Sequence, residues 1–313
     1  MKNRPFGKTG LTVSPVCVGT SPLGSFPAQY GYEVSTDQAI ATLLEVFRGP
    51  FNFIDTSNEY GGGESERRIG MATDRAGGLP DGYLLATKMD PLPGTTDFSE
   101  ERVRASVKES LERLGLDRLE LVYLHDPEKI SFEEGIAPGG PLQALVKLRD
   151  EGVIRHLGVA GGPIDLMLKY LATDEFEAVI SHNRYTLVDQ SALPLIDDAD
   201  RRGIAFVNGA PYGGGMLVKG PDEHPNYCYA PASEATKERV RQMQQILAPH
   251  DIPLAAAALQ FSLREPRIAS TIVGMSAPER IAQTVRLAEW EIPQSVWAQL
   301  EPLAAVGRDG FEN

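Results

Sequence analysis

The sequence predicts an α/β fold: a (β/α)8 (TIM) barrel preceded by an N-terminal β-hairpin and followed by an extra C-terminal helix. Eight short apolar runs recur along the 313 residues, and most are continuously apolar, as parallel strands buried on both faces are. Amphipathic helical patterns alternate with these runs. No linker, low-complexity stretch or internal repeat divides the chain. We therefore expect residues 1–313 to form a single barrel domain.

The strands of the barrel are predicted to follow a short hairpin. Residues 4–15 alternate loosely between apolar and polar and carry Gly7 and Gly10 as turn signals, which favours two short antiparallel strands. The runs after the hairpin are rich in β-branched and aliphatic residues. These predicted barrel strands are Val16–Gly19, Phe51–Ile54, Tyr83–Ala86, Leu119–Leu124, Ile154–Val159, Ala178–Ile180, Ile204–Val207 and Ser270–Val273.

The helices are recognised by apolar residues that share one face and by polar residues at the start. In residues 35–47, for example, Ile40, Leu43, Leu44 and Phe47 lie on one face behind a serine cap. The predicted helices are Ser35–Phe47, Ser99–Leu114, Pro141–Asp150, Pro163–Leu171, Ser191–Arg202, Ser233–Leu247, Leu254–Arg264, Pro278–Leu287 and, outside the repeat, Pro293–Leu303.

An open, doubly wound sheet is the alternative arrangement of alternating strands and helices. Such a sheet normally carries a G-x-G-x-x-G turn directly after its first strand. Here the segment from Gly19 to Gly24 follows that strand, and Pro22 interrupts the turn and the helix start. The sequence therefore favours the closed barrel.

The composition restricts the classes of partner. The chain has 30 Lys and Arg against 43 Asp and Glu, a formal net charge of −13, which disfavours nucleic acid and anionic membranes. The chain has no run of 18 apolar residues, and its first residues lack the apolar core of a signal peptide. The two cysteines, Cys17 and Cys228, do not make a disulfide framework. We expect a cytoplasmic protein; its oligomeric state is not readable from the sequence.

Polar residues at the ends of three consecutive strands are the candidate catalytic groups. Asp55 ends the second predicted strand, Lys88 the third and His125 the fourth, and Tyr60 stands in the loop after Asp55. Each could singly be a turn, surface or packing residue. Together they lie at the C-terminal rim of the barrel, where the chemistry of such barrels takes place.

These four residue types suit proton transfer to or from a carbonyl oxygen. A tyrosine has a pKa of about 10, and a nearby ammonium favours its phenolate form. A carboxylate behind the lysine keeps the lysine charged and oriented, and the imidazole is a second donor to an oxygen that becomes negative. The sequence thus predicts protonation of an alkoxide formed by hydride attack, or the reverse reaction.

The segments that carry these residues resemble the aldo-keto reductase family. Residues 53–61, Phe-Ile-Asp-Thr-Ser-Asn-Glu-Tyr-Gly, are similar to the motif around its catalytic Asp and Tyr. Residues 86–88 resemble its lysine strand and residues 121–125 its histidine strand. The resemblance includes residues 11–19 and 272–280, and so extends over nearly the whole chain. It implies a (β/α)8 barrel that binds a nicotinamide cofactor without a Rossmann domain.

The resemblance also implies a role for each of the four residues. Tyr60 would be the general acid in reduction and the general base in oxidation, and Lys88 would lower its pKa. Asp55 would pair with Lys88, and His125 would orient the substrate carbonyl. The hydride would come from the cofactor. Asn58, on the same loop, could line the substrate pocket or be a turn residue.

The resemblance implies that the adenosine end of the cofactor lies at the exit of the last strand. This exit leads into a helix N-terminus, which can hold an anion through its backbone N–H groups. Arg280, in the first turn, could stack on adenine or pair with a 2′-phosphate, so NADP is expected ahead of NAD. The residues of this segment expected to contact the cofactor are Gly274, Met275, Ser276, Arg280, Gln283 and Thr284.

The nicotinamide end departs from the family pattern. Many members have a Ser-Asn pair after the fifth strand, where this chain has Ala and Gly at 160–161. Asn183, after the sixth strand, can both donate to and accept from a carboxamide, and it is our candidate replacement. Tyr185 could stack on the nicotinamide or simply pack. After the seventh strand, Gly209 and Tyr212 lead into a glycine-rich loop that permits close approach of a pyrophosphate.

The substrate expected from the resemblance is a carbonyl compound, either an aldehyde or an aldose oxidised to a lactone. The exit after His125 and the sequence around Gly161 and His182 are similar to a subgroup acting on fucose, galactose or arabinose. A metal-dependent barrel hydrolase is one alternative, although the five histidines are scattered and form no H-x-H or H-E-x-x-H motif. A cofactor-binding regulatory barrel with little turnover is the other.

Overall fold

Eight parallel strands close into a barrel in the computed structural model of the protein, which describes residues 1–228 and 230–304. The strands of the described residues are β1 (Arg4–Pro5), β2 (Thr12–Val13), β3 (Val16–Gly19), β4 (Phe53–Asp55), β5 (Leu84–Met89), β6 (Leu119–His125), β7 (Ile154–Gly161), β8 (Ala178–His182), β9 (Ala205–Gly209), β10 (Asn226–Tyr227), β11 (Ala230–Pro231) and β12 (Ile268–Gly274). The barrel order is β3 to β9 followed by β12, which pairs with both β9 and β3. The predicted (β/α)8 barrel is therefore confirmed.

Each predicted strand overlaps an observed one, and most observed strands extend further towards their C-terminal ends. The polar residues that close the apolar runs still take part in the ladder: Asp55 pairs with Ala86, and His125 with Ala160. The candidate catalytic residues thus belong to the sheet or come directly after it, which fixes their backbone positions.

Helices cover the outside of the barrel. Those of the described residues are α1 (Pro27–Tyr30), α2 (Thr36–Val46), α3 (Glu64–Ala76), α4 (Glu100–Leu114), α5 (Phe132–Ile136), α6 (Pro141–Asp150), α7 (Ile164–Leu171), α8 (Leu193–Arg202), α9 (Met216–Lys219), α10 (Glu234–Leu247), α11 (Leu254–Leu263), α12 (Glu279–Ala288) and α13 (Gln294–Leu300). Ser35, Ser99 and Ser233 cap α2, α4 and α10 by accepting a backbone N–H of the first turn, as the sequence predicts.

The helix α3 is missing from the sequence prediction, because the face that it buries is largely polar. Its buried residues are Ser65, Glu66, Arg68, Ile69, Gly70, Ala72 and Thr73. Hydrogen bonds replace the missing apolar stripe: Arg68 donates to the carbonyl oxygens of Leu23 and Val34, and Glu66 accepts from Thr87. A search for apolar periodicity cannot find a helix of this kind.

The N-terminal hairpin, β1 and β2, closes the end of the barrel at which the strands begin. Arg4 pairs with Val13 in antiparallel register. Phe6 is completely buried and meets Phe53, the first residue of β4, edge to face at 5.4 Å. The opposite end, where the strands finish, carries the candidate site.

The helices offer little that could cross a membrane. In the part of the chain that the structure describes, no single helix is long and apolar enough, and one pair bent by 104° (Glu234–His250 with Leu254–Leu263) reaches the required length and composition together.

Candidate active site

The four candidate catalytic side chains meet at the C-terminal end of the barrel. Lys88 Nζ donates hydrogen bonds to Asp55 Oδ2 at 2.7 Å, to the carbonyl oxygen of Thr56 at 2.7 Å and to Tyr60 Oη at 3.1 Å. The rings of Tyr60 and His125 lie edge to face with centroids 6.3 Å apart. The structure thus brings together the four residues that the sequence singled out.

The loop that carries Tyr60 is held by a close contact between two glycines. Gly61 has a φ of +66°, and a Cβ atom there would lie 2.1 Å from the carbonyl oxygen of Gly24. A Cβ on Gly24 would in turn approach the backbone of Tyr60 to 2.9 Å. Side chains at these positions would push the loop away, so the glycines fix where the phenol stands.

Burial and the charge of Lys88 act on the pKa of Tyr60 in opposite directions. Burial raises the pKa of Tyr60 above its ordinary value, and the ammonium of Lys88 opposes this rise without cancelling it. The contribution of Lys88 has the predicted sign, and burial outweighs it. Burial also acts on Lys88, but Asp55 and Tyr60 outweigh it and raise the pKa of Lys88. At neutral pH the site thus holds a neutral phenol beside an ammonium.

A buried carboxylate behind His125 was missed by the sequence analysis. Asp90 is completely buried, and its Oδ1 lies 2.6 Å from His125 Nδ1. Its other oxygen accepts from Ser57 Oγ and from the backbone N–H of Glu59 at 3.2 Å. A signal was available, because Asp90 comes two residues after Lys88 and alternation places both on the same face.

Asn58 does not line the substrate pocket. Its amide nitrogen donates to the carbonyl oxygen of Ser106 at 3.1 Å and to Glu109 at 3.2 Å, and its amide oxygen accepts from Arg102 at 3.2 Å. All three partners belong to α4, outside the barrel. Asn58 therefore joins the β4 loop to α4, and its assignment to substrate binding was wrong.

Asn183 follows the end of β8 and has unused hydrogen-bonding capacity. Its amide nitrogen lies 3.0 Å from His182 Nδ1, whereas its buried Oδ1 has no hydrogen-bond partner in the described residues. Burial lowers the pKa of His182 to about 4, so this imidazole is neutral at neutral pH. A carboxamide N–H₂ group is the kind of donor that would satisfy the unpartnered oxygen, so Asn183 fits the nicotinamide end of the cofactor.

Tyr185 does not face the barrel mouth. Its ring stacks on Phe261 of α11 with centroids 5.1 Å apart, outside the barrel. Burial raises the pKa of Tyr185 to about 12, and Glu265, in the loop before β12, adds to the rise. That loop lies at the end where the strands begin. The expectation that Tyr185 stacks on the nicotinamide was therefore wrong, because the chain after Asn183 turns outward.

Gly209 and Tyr212 lie at the exit of β9. Gly209 is the last residue of β9, next to His182, and a Cβ there would lie 3.0 Å from the Cβ of His182. The buried hydroxyl of Tyr212 has no hydrogen-bond partner in the described residues. Burial raises the pKa of Tyr212 to about 12, and the charge of Arg280 opposes the shift. An unpartnered buried hydroxyl at the exit of a barrel strand suits a polar ligand such as a dinucleotide.

The predicted adenosine segment divides into surface and buried residues. Gly274 and Gln283 are exposed, Ser276 and Arg280 are partly so, and Arg280 donates to Gln283 at 2.7 Å. Met275 is fully buried and its N–H donates to Gly19, while the hydroxyl of Thr284 faces Met275 Sδ. The expectation that the side chains of Met275 and Thr284 contact the cofactor was therefore wrong. Both side chains point into the core, where they pack against each other.

The Ala-Gly segment at the end of β7 is completed by a residue from another loop. Glu128 Oε1 accepts the N–H of Gly162 at 2.8 Å, and a Cβ on Gly161 would lie 2.7 Å from Glu128 Oε2. The carboxylate thus occupies the space that a side chain at 161 would take. No pattern in the sequence indicates this contact, because the two residues are 34 positions apart in the chain.

A metal centre finds no support in the geometry. Within residues 1–228 and 230–304, no group of three or more His, Cys, Asp or Glu side chains is arranged to hold a metal ion. The acid–base cluster around Tyr60 is the arrangement on which chemistry can be argued.

Comparison with known proteins agrees with this geometry. A sequence model of the aldo/keto reductase family matches residues 15–305. L-galactose dehydrogenase from Arabidopsis thaliana is 35% identical over 90% of this chain and 86% of that enzyme. D-threo-aldose 1-dehydrogenase from a Pseudomonas species is 31% identical over 93% of this chain and 94% of that enzyme. In fold, an aldo-keto reductase from Bacillus halodurans in its holo form is similar with a TM-score of 0.80 and 24% identity, over 98% of both chains.

Proposed function

The chain belongs to the aldo/keto reductase family, and on this basis we propose that it oxidises an aldose at its anomeric carbon to the lactone. The enzyme is an NAD(P)-dependent oxidoreductase that interconverts a carbonyl and an alcohol or lactone. When bound, the nicotinamide supplies or accepts the hydride. The choice of an aldose and the role of each residue are the proposal.

Tyr60 is the proposed proton donor and acceptor. Its phenol lies 3.1 Å from Lys88 Nζ and edge to face with His125, so it stands between the two groups that would influence an oxygen bound there. In reduction Tyr60 gives its proton to the developing alkoxide, and in oxidation it takes the hydroxyl proton. Lys88, held by Asp55, stabilises the phenolate that forms, and His125 orients the substrate oxygen.

Residues at the ends of β8, β9 and β12 are proposed to hold the cofactor. Asn183 would bind the carboxamide through its unpartnered oxygen. Gly209 and Tyr212 would face the middle of the dinucleotide, and Gly274, Ser276, Arg280 and Gln283 the adenosine end. We propose a preference for NADP, because Arg280 offers a planar, permanently charged group for a 2′-phosphate.

The carboxylates around His125 support the proposal that the substrate is an aldose. Asp126 Oδ1 lies 3.4 Å from His125 Nε2. The charge of His125 also acts to lower the pKa values of Glu59 and Glu128. Carboxylates accept hydrogen bonds from hydroxyl groups. The hydroxyl groups of a polyhydroxylated substrate can donate to the remaining lone pairs of these carboxylates, whereas an aliphatic aldehyde has no hydroxyl group to donate. Two relatives named as sugar dehydrogenases, at 35% and 31% identity, support the same choice.

The test compares hydroxylated and plain substrates of matched size. Galactose, fucose and arabinose, in both enantiomers, are assayed with NADP⁺ and NAD⁺, and hexanal and pentanal with the reduced cofactors. We expect at least one aldose to be oxidised to its lactone with a kcat/KM at least about tenfold higher than that of the matched aldehyde. A higher kcat/KM for the aldehydes would mean that the enzyme is a broad aldehyde reductase and not an aldose dehydrogenase. Cofactor binding without turnover on either set would favour the regulatory barrel.

A further inference from the structure

Asp90 is a carboxylate surrounded by hydrogen-bond donors. It is completely buried at the end of β5, and three groups approach its two oxygens: His125 Nδ1 at 2.6 Å, the hydroxyl of Ser57, and the N–H of Glu59 at 3.2 Å. The backbone of Asp90 is fixed as well, since its N–H donates to Ser106 Oγ and its carbonyl oxygen accepts from Arg102. The carboxylate therefore has a defined position and accepts hydrogen bonds from three different groups.

This arrangement determines which nitrogen of His125 carries a hydrogen. A carboxylate has no hydrogen to give, so the 2.6 Å contact requires a hydrogen on Nδ1. A neutral imidazole has only one N–H group, so Nε2 then carries no hydrogen and is an acceptor. Nε2 can donate to a carbonyl oxygen only when the imidazole carries both hydrogens and a positive charge.

We propose that Asp90 is a positioning residue that keeps the hydrogen on His125 Nδ1, so that Nε2 is the atom that gains and loses a proton at the barrel mouth. The inference rests on the proposed function, in which His125 orients the substrate oxygen. With its proton, Nε2 donates to a carbonyl oxygen and assists reduction. Without it, Nε2 accepts the hydroxyl of an alcohol or lactol and assists oxidation.

The charges that face His125 determine when this proton is held. Asp90 at the end of β5 and Asp126 after β6 favour the imidazolium, as do Glu59 in the loop after β4 and Glu128. Lys88 opposes it, His182 lies near, and Tyr60 faces the ring. Burial lowers the pKa of His125, but Asp90 and Asp126 outweigh it and raise the pKa above its ordinary value. The change from donor to acceptor thus falls at a pH above the ordinary histidine pKa of about 6.5.

The first test observes the imidazole directly. The full-length protein is labelled with ¹⁵N-histidine, and the ring nitrogens of His125 are followed by NMR from pH 5 to 10, with the assignment made by loss of the signal in His125→Gln. We expect Nδ1 to stay protonated throughout while Nε2 titrates. His156, whose Nδ1 lies 2.9 Å from Glu177 at the other end of the barrel, is an internal reference. A neutral form with the hydrogen on Nε2 would overturn the proposal, and this measurement needs neither substrate nor a variant at Asp90.

The second test removes the charge and keeps the shape. In Asp90→Asn, we expect the titration midpoint of His125 to fall by about one to three pH units. The matched control is Asp198→Asn, a buried carboxylate that pairs with Arg202 on α8. An unchanged midpoint in Asp90→Asn would also overturn the proposal.

Kinetics separate positioning from a general structural effect. For reduction, we expect kcat/KM to fall as Nε2 loses its proton, and the falling limb of the pH profile should move down in Asp90→Asn by the same number of pH units as the NMR midpoint. Below both midpoints the rates should agree within a few fold. An equal loss at every pH would point to distortion and overturn the proposal. If no carbonyl is turned over while Nδ1 stays protonated, the proposed function fails and the inference about the imidazole stands.

Discussion

Lys88 Nζ donates a 2.7 Å hydrogen bond to Asp55 Oδ2, and each side chain is only 3% exposed. The pair is therefore an ion pair inside the barrel. Asp55 Oδ1 is buried and has no hydrogen-bond partner in the described residues, so the carboxylate depends largely on Lys88. Burial raises the pKa of Asp55, and Lys88 counteracts the rise.

Replacing Lys88 by methionine should make stability strongly dependent on pH. The Asp55 carboxylate would lose its counter-charge, and breaking a buried pair in this way costs about 3–5 kcal/mol. The pKa of Asp55 would then lie higher in the folded than in the unfolded state. The loss should therefore be small below pH 4 and grow with rising pH through the unfolded pKa of about 4.

Urea unfolding of Lys88→Met at pH 4 and pH 8 measures this dependence. The double variant Lys88→Met/Asp55→Asn is the control, because it removes both charges and should recover part of the stability at pH 8. An equal loss at both pH values would mean that the effect comes from packing and not from the unpaired carboxylate.

Tyr60→Phe should remove about 10²- to 10⁴-fold of turnover while cofactor affinity stays nearly the same. The hydroxyl that would be lost is the proposed proton donor, whereas the ring and its contact with Lys88 remain. Stopped-flow or steady-state rates and a fluorescence titration with NADPH measure the two quantities. Tyr32→Phe, at an exposed tyrosine, is the matched control. Retained turnover in Tyr60→Phe would mean that another residue supplies the proton.

The pH profile of reduction distinguishes Tyr60 from His125. Because burial holds the pKa of Tyr60 above its ordinary value of about 10, the phenol keeps its proton throughout pH 6–9. We therefore assign a decline of kcat/KM in that range to His125, whose pKa is raised above its ordinary value of about 6.5. A decline that persists in His125→Gln would contradict this assignment.

The sequence predicts the barrel well because its strands are buried on both faces. Continuous apolar runs such as Ile204–Val207 mark these strands directly, and the rule that chemistry lies at their C-terminal ends leads to Asp55, Lys88 and His125. The polar helix α3 has no apolar stripe and was missed for that reason.

Loop residues are harder to place, because nothing in the local sequence sets the direction of their side chains. Asn58 comes three residues after Asp55 and yet turns outward to α4, and Tyr185 turns to α11. Asp90 is a different case: alternation from Lys88 places it towards His125. Its importance becomes visible once the pairing of β5 with β6 is known, since that pairing brings the two ends together.

Arg280→Ala should weaken NADPH binding roughly 10- to 100-fold more than NADH binding. The guanidinium lies at the start of α12 near the exit of β12 and donates to the side chain of Gln283, so it can reorient towards a 2′-phosphate. Fluorescence titration with both cofactors measures the ratio. Arg286→Ala, in the last turn of the same helix, is the control for charge alone. Equal losses for both cofactors would mean that Arg280 contacts the adenine.

Asn58→Ala should reduce stability and leave substrate affinity nearly unchanged. The amide is 5% exposed and makes hydrogen bonds to Ser106, Glu109 and Arg102, so alanine would leave buried partners unsatisfied. The expected cost is about 1–3 kcal/mol in the free energy of unfolding. Asn3→Ala, at an exposed asparagine, controls for the substitution itself. Because the loop also carries Tyr60, kcat should fall moderately while KM stays within about twofold of the wild type. A large rise in KM without loss of stability would mean that Asn58 does line the substrate pocket.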